Sequence, residues 1–430
     1  VGYDARLSSP SLCAALLAGC RAAGASAEVL GLCPSEAIYF TMGRRTDLDF
    51  GVMITASHNP AEYNGFKVVE PGAVPLTHFN GLEKVKRWMG KTPAVDPGPL
   101  APPEQTTDYR EDYLDFSLSL TGRPADRPMK VVVDPGNGVG GLMWETLAER
   151  FGLELVRVNF EPDGHFPAHE PNPLLSKVHE SLHERMQEEK ADLGFAHDGD
   201  ADRTVVVLPD GRVLGGGEMI AALLDHLFED ETELRPALSL TITRRVLDHL
   251  RARGVEPLIV PVGHAKVKKA MRSDPSISFG GEQSGHYCYR DFFCCESSLL
   301  TVLHIINVAG AGRLGPLLDD LPGPWCAPDP EPSFPFEQRD KALEACRHVA
   351  QGALRMFPEP DEIMCEYGWT IDRHCNPNDI EDASGVRIDY PDWWFVVRPS
   401  GTEPIARLAG EARSPEMIEE KMEQLGALFQ

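Results

Sequence analysis

At 430 residues the chain exceeds the roughly 250–300 residues at which one hydrophobic core stops growing, so more than one domain is expected. A net charge of −25 counts against nucleic acid or an anionic membrane as partner, since both require clustered Lys and Arg. No segment approaches the roughly 20 apolar residues of a membrane span, and the ten cysteines include no C-x-x-C pair, which predicts free thiols in a reducing, cytoplasmic setting.

Apolar periodicity predicts a helix at 11–23, a strand at 27–32, a helix at 34–43 and a strand at 50–55. Tyr63-Asn-Gly-Phe-Lys reads as a turn entering another short strand, followed by helices at 78–89 and 108–120 around a Pro-rich loop at 91–107. This βα alternation implies a mostly parallel sheet. A second unit opens on strand 129–134 and the turn Pro135-Gly-Asn-Gly-Val-Gly-Gly. That turn lacks G-x-G-x-x-G and G-x-x-x-x-G-K-[ST], so a tight βα turn is favoured over a nucleotide loop. A helix, strand 153–158, helix 176–189, strand 192–197, a hairpin across Asp210-Gly211 and helix 217–228 complete it. The third unit has strands at 237–242, 257–261 and 277–280 and helices at 244–253, 264–272 and 296–308. Leu321 to Pro335, rich in proline, reads as a semi-rigid linker and hinge. The last unit carries helices at 340–351 and 415–428 with strands near 368–372, 386–389 and 393–397, an α+β pattern.

Four stretches carry chemistry. Thr55-Ala-Ser-His-Asn-Pro follows a strand, which puts the Ser57 hydroxyl and His58 imidazole at a sheet edge where α/β ligands bind; a Ser/Asn capping turn is the plainer alternative. His197-Asp-Gly-Asp-Ala-Asp-Arg presents Asp198, Asp200 and Asp202 at alternate positions, able to converge on one hard cation, with Arg203 ready to grip a phosphate. An EF-hand fails here, because position 6 of the loop is Arg203 and position 12 is Pro209; a solvated acidic loop is the other alternative. Glu282-Gln-Ser-Gly-His suits a pair of sugar hydroxyls, or is a Gly-rich turn with a capping Glu. Arg398-Pro-Ser-Gly-Thr, with Arg407 beyond, suits an anion nest, or is a capped turn with surface Arg.

Together, and in this order, the four stretches resemble those of the α-D-phosphohexomutases, over nearly the whole chain. The resemblance implies a four-domain α/β architecture: three βα-type mixed-sheet domains plus a C-terminal α+β domain, around an active site in a central cleft. Its expected boundaries are 1–122, 123–230, 231–325 and 335–430. It implies reversible exchange between hexose 1-phosphate and hexose 6-phosphate through a hexose 1,6-bisphosphate, which also serves as activator. Ser57 then matches the phosphoserine, with His58 beside it, and Lys67 the general acid/base. Ser57, Asp198, Asp200 and Asp202 match the Mg²⁺ ligands. Arg203, Gly263, His264, Lys268, Glu282, Ser284 and His286 match substrate-binding positions, and Arg398, Ser400, Gly401, Thr402 and Arg407 the phosphate site. The family's N-terminal strand and its Arg-Gly turn would lie before Val1. Pro171-Asn-Pro-Leu-Leu, Tyr289-Arg-Asp-Phe and Asp392-Trp-Trp-Phe look most like bacterial phosphomannomutases. Phosphoglucosamine mutase, phosphoglucomutase, a metal-dependent sugar phosphatase and a catalytically silent sugar-phosphate binder are the alternatives.

Overall fold

The computed structural model describes residues 1–77, 80–89, 91, 106–122, 129–228, 235–328, 331–357, 359–400 and 403–429. The chain forms two compact units, Val1–Asp230 with Ser284–Leu318, and Glu231–Gln283 with Asp319–Gln430. Most of the expected Pro-rich loop at 91–107 lies outside the described residues. No helix among the described residues is long and apolar enough to cross a membrane.

The first unit holds two five-stranded mixed sheets. In one, Gly2–Tyr3 lies between Gly31–Leu32 and Gly51–Ile54, parallel to both, and Phe66–Glu70 and Val74–Pro75 follow antiparallel. Gly2–Tyr3 was not expected as a strand; two residues are too few to show a period. The strand expected at 27–32 shrinks to Gly31–Leu32, because Gly31 takes φ +78 and interrupts the extended run. In the second sheet Leu193–His197, Lys130–Asp134 and Glu154–Arg157 are parallel, while Thr204–Val207 and Val213–Leu214 return antiparallel. Lys130–Asp134 and Leu193–His197 are buried almost throughout, which is why they read as continuous apolar runs.

In the second unit Leu258–Val260, Pro236–Ser239 and Phe279–Gly281 are parallel. An antiparallel six-stranded sheet then carries helices Arg339–Met356 and Pro415–Gly426 on its apolar core. Two of its strands, Glu362–Tyr367 and Ile405–Ala412, escaped the sequence pattern. The segment expected as a proline-rich linker carries strand structure of its own. Ser333–Pro335 is an edge strand against Ile405–Ala412, and Cys326 exchanges two backbone hydrogen bonds with Ala412. Proline is tolerated at such an edge, so this segment is tied to the sheet at two points. The expectation that every thiol is free also fails: a disulfide joins Cys365, in strand Glu362–Tyr367, to Cys375 just past its hairpin partner Thr370–Asp372.

Helix Ser35–Arg44 is buried on nearly every side, and it carries a carboxyl into the interior. Glu36 is 2% exposed and accepts a hydrogen bond from Leu299 N–H. Burial pushes its carboxyl up to about 7, against the pull of hydrogen bonds from Tyr113 and Leu299. A carboxyl raised on folding costs nothing below its unfolded pKa, where both states are protonated. The cost grows as pH climbs to the folded pKa and then levels off. Glu36→Gln should therefore leave stability unchanged near pH 4 and raise it by about 3 kcal/mol near pH 8. Urea unfolding at both pH values checks this; equal effects at both would show that burial does not govern Glu36.

Candidate active site

Strand Gly51–Ile54 ends in the loop that turns Ser57 into the left-handed region at φ 51, a conformation few non-glycine residues adopt. Thr55 Oγ1 accepts the Ser57 N–H at 2.8 Å, and Ser57 Oγ donates to Asp198 Oδ2 at 2.6 Å. His58 Nδ1 lies 3.4 Å from the same hydroxyl. Burial, reinforced by the Arg203 guanidinium, pulls the His58 imidazole down to about 4, so it is neutral at physiological pH.

Asp198, Asp200 and Asp202 leave the end of strand Leu193–His197 on a turn closed by Asp202 and Arg203 N–H groups donating to Asp198 Oδ1. All three are buried, and one carboxylate oxygen from each lies within 4.8 Å of the others. Lys67 arrives from Phe66–Glu70, placing Nζ 2.6 Å from Asp200 Oδ2 and 2.5 Å from Asp202 Oδ2. Ser35, opening its helix, donates Oγ–H to Asp200 Oδ2 at 2.6 Å and its N–H to the Asp200 carbonyl. His286 Nε2 stands 3.4 Å from Asp202 Oδ1, and its Nδ1 is 2.9 Å from Ser284 Oγ.

Burial and the neighbouring carboxylates Asp202 and Asp200 drive the Asp198 carboxyl well above its usual range. Burial acts on Asp202 in the same sense, but Lys67 and His286 overcome it and hold that carboxyl well below the usual range. Among the described residues, buried Asp200 Oδ1 has no hydrogen-bond partner. Three converging buried carboxylates with a spare oxygen, balanced by the Lys67 ammonium and by Arg203, whose Nε lies 3.6 Å from Asp198 Oδ2, fit a hard divalent cation of the Mg²⁺ kind.

The Gly-rich turn after Lys130–Asp134 supports this loop. Gly136 N–H caps Asp134 Oδ1, Val139 N–H donates to the Gly199 carbonyl, and a Cβ at Gly138 would sit 2.7 Å from that same oxygen. It is the tight turn expected, with the further task of backing the acidic loop.

In the second unit, Glu282 Oε1 accepts Gly263 N–H at 2.7 Å, which joins two predicted substrate stretches. His264 opens helix His264–Ser273, and Lys268 is buried on it. Arg398 and Arg407 face each other across neighbouring strands. Burial lowers the Arg398 guanidinium, Arg407 adds to this, and Glu331, Glu366 and Glu282 oppose it. Ser400 Oγ accepts Glu403 N–H, and Arg339 donates to the Ser400 carbonyl. Gly401 and Thr402 lie outside the described residues.

Sequence reasoning missed Arg6, Ser35 and Arg339. Arg6 is fully buried and donates to backbone carbonyls of the Ser57 loop. A charged residue two places after Asp4, just past a strand, was the available signal.

Models of phosphoglucomutase/phosphomannomutase alpha/beta/alpha domains I, II and III match residues 1–87, 111–211 and 216–322, and that of the C-terminal domain matches 337–426. The chain belongs to the phosphohexomutase family. Phosphohexose mutases of Xanthomonas campestris pv. campestris are 32% identical over 432 residues, covering 100% of this chain and 90% of theirs. A phosphomannomutase of Escherichia coli is 30% identical over 440 residues, covering 100% of this chain and 91% of its own. The crystal structure of a phosphoglucomutase/phosphomannomutase family protein from Burkholderia thailandensis is 27% identical with a TM-score of 0.77, covering 99% of this chain and 87% of that one. This phosphohexomutase is thus a four-domain member of an isomerase family that acts on hexose phosphates.

Proposed function

We propose that the protein is a Mg²⁺-dependent phosphomannomutase that interconverts mannose 1-phosphate and mannose 6-phosphate, and also accepts glucose phosphates. The observation that carries the reading is the Ser57 hydroxyl, 2.6 Å from one of three converging buried aspartates. In this reading Ser57 carries the phosphoryl group and exchanges it with either end of a hexose 1,6-bisphosphate. Asp198, Asp200, Asp202 and Ser57 would hold Mg²⁺, which when bound neutralises phosphoryl charge. Lys67 moves a proton to and from the sugar hydroxyl, and His58 flanks the nucleophile.

Arg203, Gly263, His264, Lys268, Glu282, Ser284 and His286 orient the sugar phosphate. The phosphate grip is assigned to Arg398, Ser400, Gly401, Thr402 and Arg407. The cross-strand placing of Arg398 and Arg407 supports that assignment, because directly opposite residues share one face of the sheet and so bring two guanidinium groups together. Glu-Gln-Ser-Gly-His also resembles the loop of phosphoglucosamine mutases, which keeps glucosamine phosphate as the second substrate to try.

The test compares mannose 1-phosphate, glucose 1-phosphate and glucosamine 1-phosphate as substrates, with Mg²⁺ and a trace of hexose 1,6-bisphosphate, and repeats the assay after chelation. Turnover of mannose phosphate equal to or above glucose phosphate, lost on chelation, is expected. Preference for glucosamine phosphate would move the specificity, and phosphate release outpacing isomerisation would point to a phosphatase.

A further inference from the structure

The Arg6 guanidinium has five N–H donors, and all five are used inside the protein. Nε–H goes to Asp4 Oδ2 at 3.0 Å. One terminal nitrogen donates to the carbonyls of Pro60 at 2.5 Å and Tyr63 at 3.0 Å. The other donates to those of Ser57 and Asn59, both at 2.7 Å. Asp4 is locked in turn by the Ser9 and Thr55 hydroxyls and the Arg6 N–H, and the Phe166 ring lies 5.2 Å from the guanidinium carbon. Arg6 and Asp4 are 0% and 1% exposed.

We infer that Arg6 is a positioning residue for the nucleophile, acting through the loop backbone rather than on the substrate; this rests on the reading of Ser57 as the phosphoryl carrier. Four carbonyls drawn to one cation define the path of the loop from Ser57 to Tyr63. Gly199 lies against the Ser57 carbonyl, where an added Cβ would stand 2.7 Å from the oxygen, so this close approach admits only glycine. The Arg6 bonds hold Ser57 at φ 51, a conformation with no intrinsic preference, and keep its hydroxyl on Asp198. There is an electrostatic gain as well. In a planar trans peptide the N–H points opposite the C=O. With the carbonyls of Ser57, Pro60 and Tyr63 turned onto Arg6, the N–H groups of His58, Ala61 and Asn64 point away from the guanidinium. The negative ends of these peptides are thereby withdrawn from a loop that must carry a phosphate dianion. Because no Arg6 donor is left over, it contributes nothing to substrate affinity directly.

The test is Arg6→Lys, in which three donors on a point charge replace a planar fork that spans four carbonyls. Since misplacement of a reacting group by about 1 Å costs on the order of 100-fold, kcat should fall about 100-fold while KM for the sugar phosphate stays within about twofold. Single-turnover phosphorylation of Ser57 by hexose 1,6-bisphosphate, followed by peptide mass, should slow in step with kcat. Guanidinium ion at non-denaturing concentration should restore about tenfold of the rate lost in Arg6→Gly. If neither variant folds, Asp4→Asn, which loosens Arg6 but leaves it in place, should show the same kcat effect at constant KM. Unchanged kcat in any folded variant, or a rise in KM that accounts for the loss, would overturn the inference. Wild-type protein that takes up no phosphoryl group on Ser57 would instead overturn the mutase reading beneath it.

Discussion

Ser57→Ala is expected to lower hexose phosphate isomerisation by on the order of 10⁴-fold or more, the scale seen when a nucleophile is removed. The loss should fall on chemistry alone. Alanine meets the same left-handed φ 51 with the same Cβ as serine, and the backbone bond from residue 57 N–H to Thr55 Oγ1 survives. What disappears is one hydroxyl and its bond to Asp198, worth about 1–3 kcal/mol because the acceptor is a buried carboxyl. Thermal unfolding should therefore shift by only a few degrees while phosphoryl uptake vanishes from the peptide. Activity within about tenfold of wild type would show that another group carries the phosphoryl.

The largest stability effect should come from Arg387. Its guanidinium, 1% exposed, makes a two-point pair with Asp389 at 2.7 and 2.9 Å and donates to the carbonyls of Leu240 and Ile242. It also lies 3.8 Å over the Trp394 ring. Arg387→Met keeps the apolar stem but leaves two buried carbonyls without this donor and Asp389, among the described residues, with one cationic partner, Arg244 at 3.2 Å. Breaking a buried pair from one side costs about 3–5 kcal/mol, because the remaining charge stays desolvated. Burial works to raise the Asp389 carboxyl, yet Arg387 and Arg244 hold it below its usual range. The pair's contribution is therefore complete above the unfolded carboxyl pKa and fades as pH falls through the lower folded value. In urea unfolding near neutral pH the variant should lose about 3–5 kcal/mol, with a smaller loss in acid. A neutral-pH loss below about 1 kcal/mol would mean that the two carbonyls and Asp389 find other partners.

Much of the candidate site was legible as residue types in local order. Ser57, the alternating aspartates and Arg398-Pro-Ser each sit where an apolar run ends, and a strand end can be read from hydropathy alone. Lys67 was legible only through the resemblance, since nothing in its own neighbourhood shows that it reaches Asp200 and Asp202. The antiparallel strands at Glu362–Tyr367 and Ile405–Ala412 were illegible for a different reason. They interleave charged residues with buried ones, and only the register, which sets Arg398 opposite Arg407, explains why arginine belongs there.

The sequence by itself determined the family and the mixed α/β plan and supplied the candidate side chains, because those depend on periodicity and on residue types a few positions apart. Only the tertiary structure decided how they are held. Arg6 is bound to carbonyls 51 to 57 residues away, and Ser35 to Asp200 across 165. A backbone carbonyl is the same group at every position, so no residue name announces that an arginine will need it. Cysteine names likewise do not say which two of ten will meet, and proline names do not say that a segment will pair at a sheet edge. Those outcomes are set when packing brings distant backbone into hydrogen-bond range and burial makes every unpaired polar group costly.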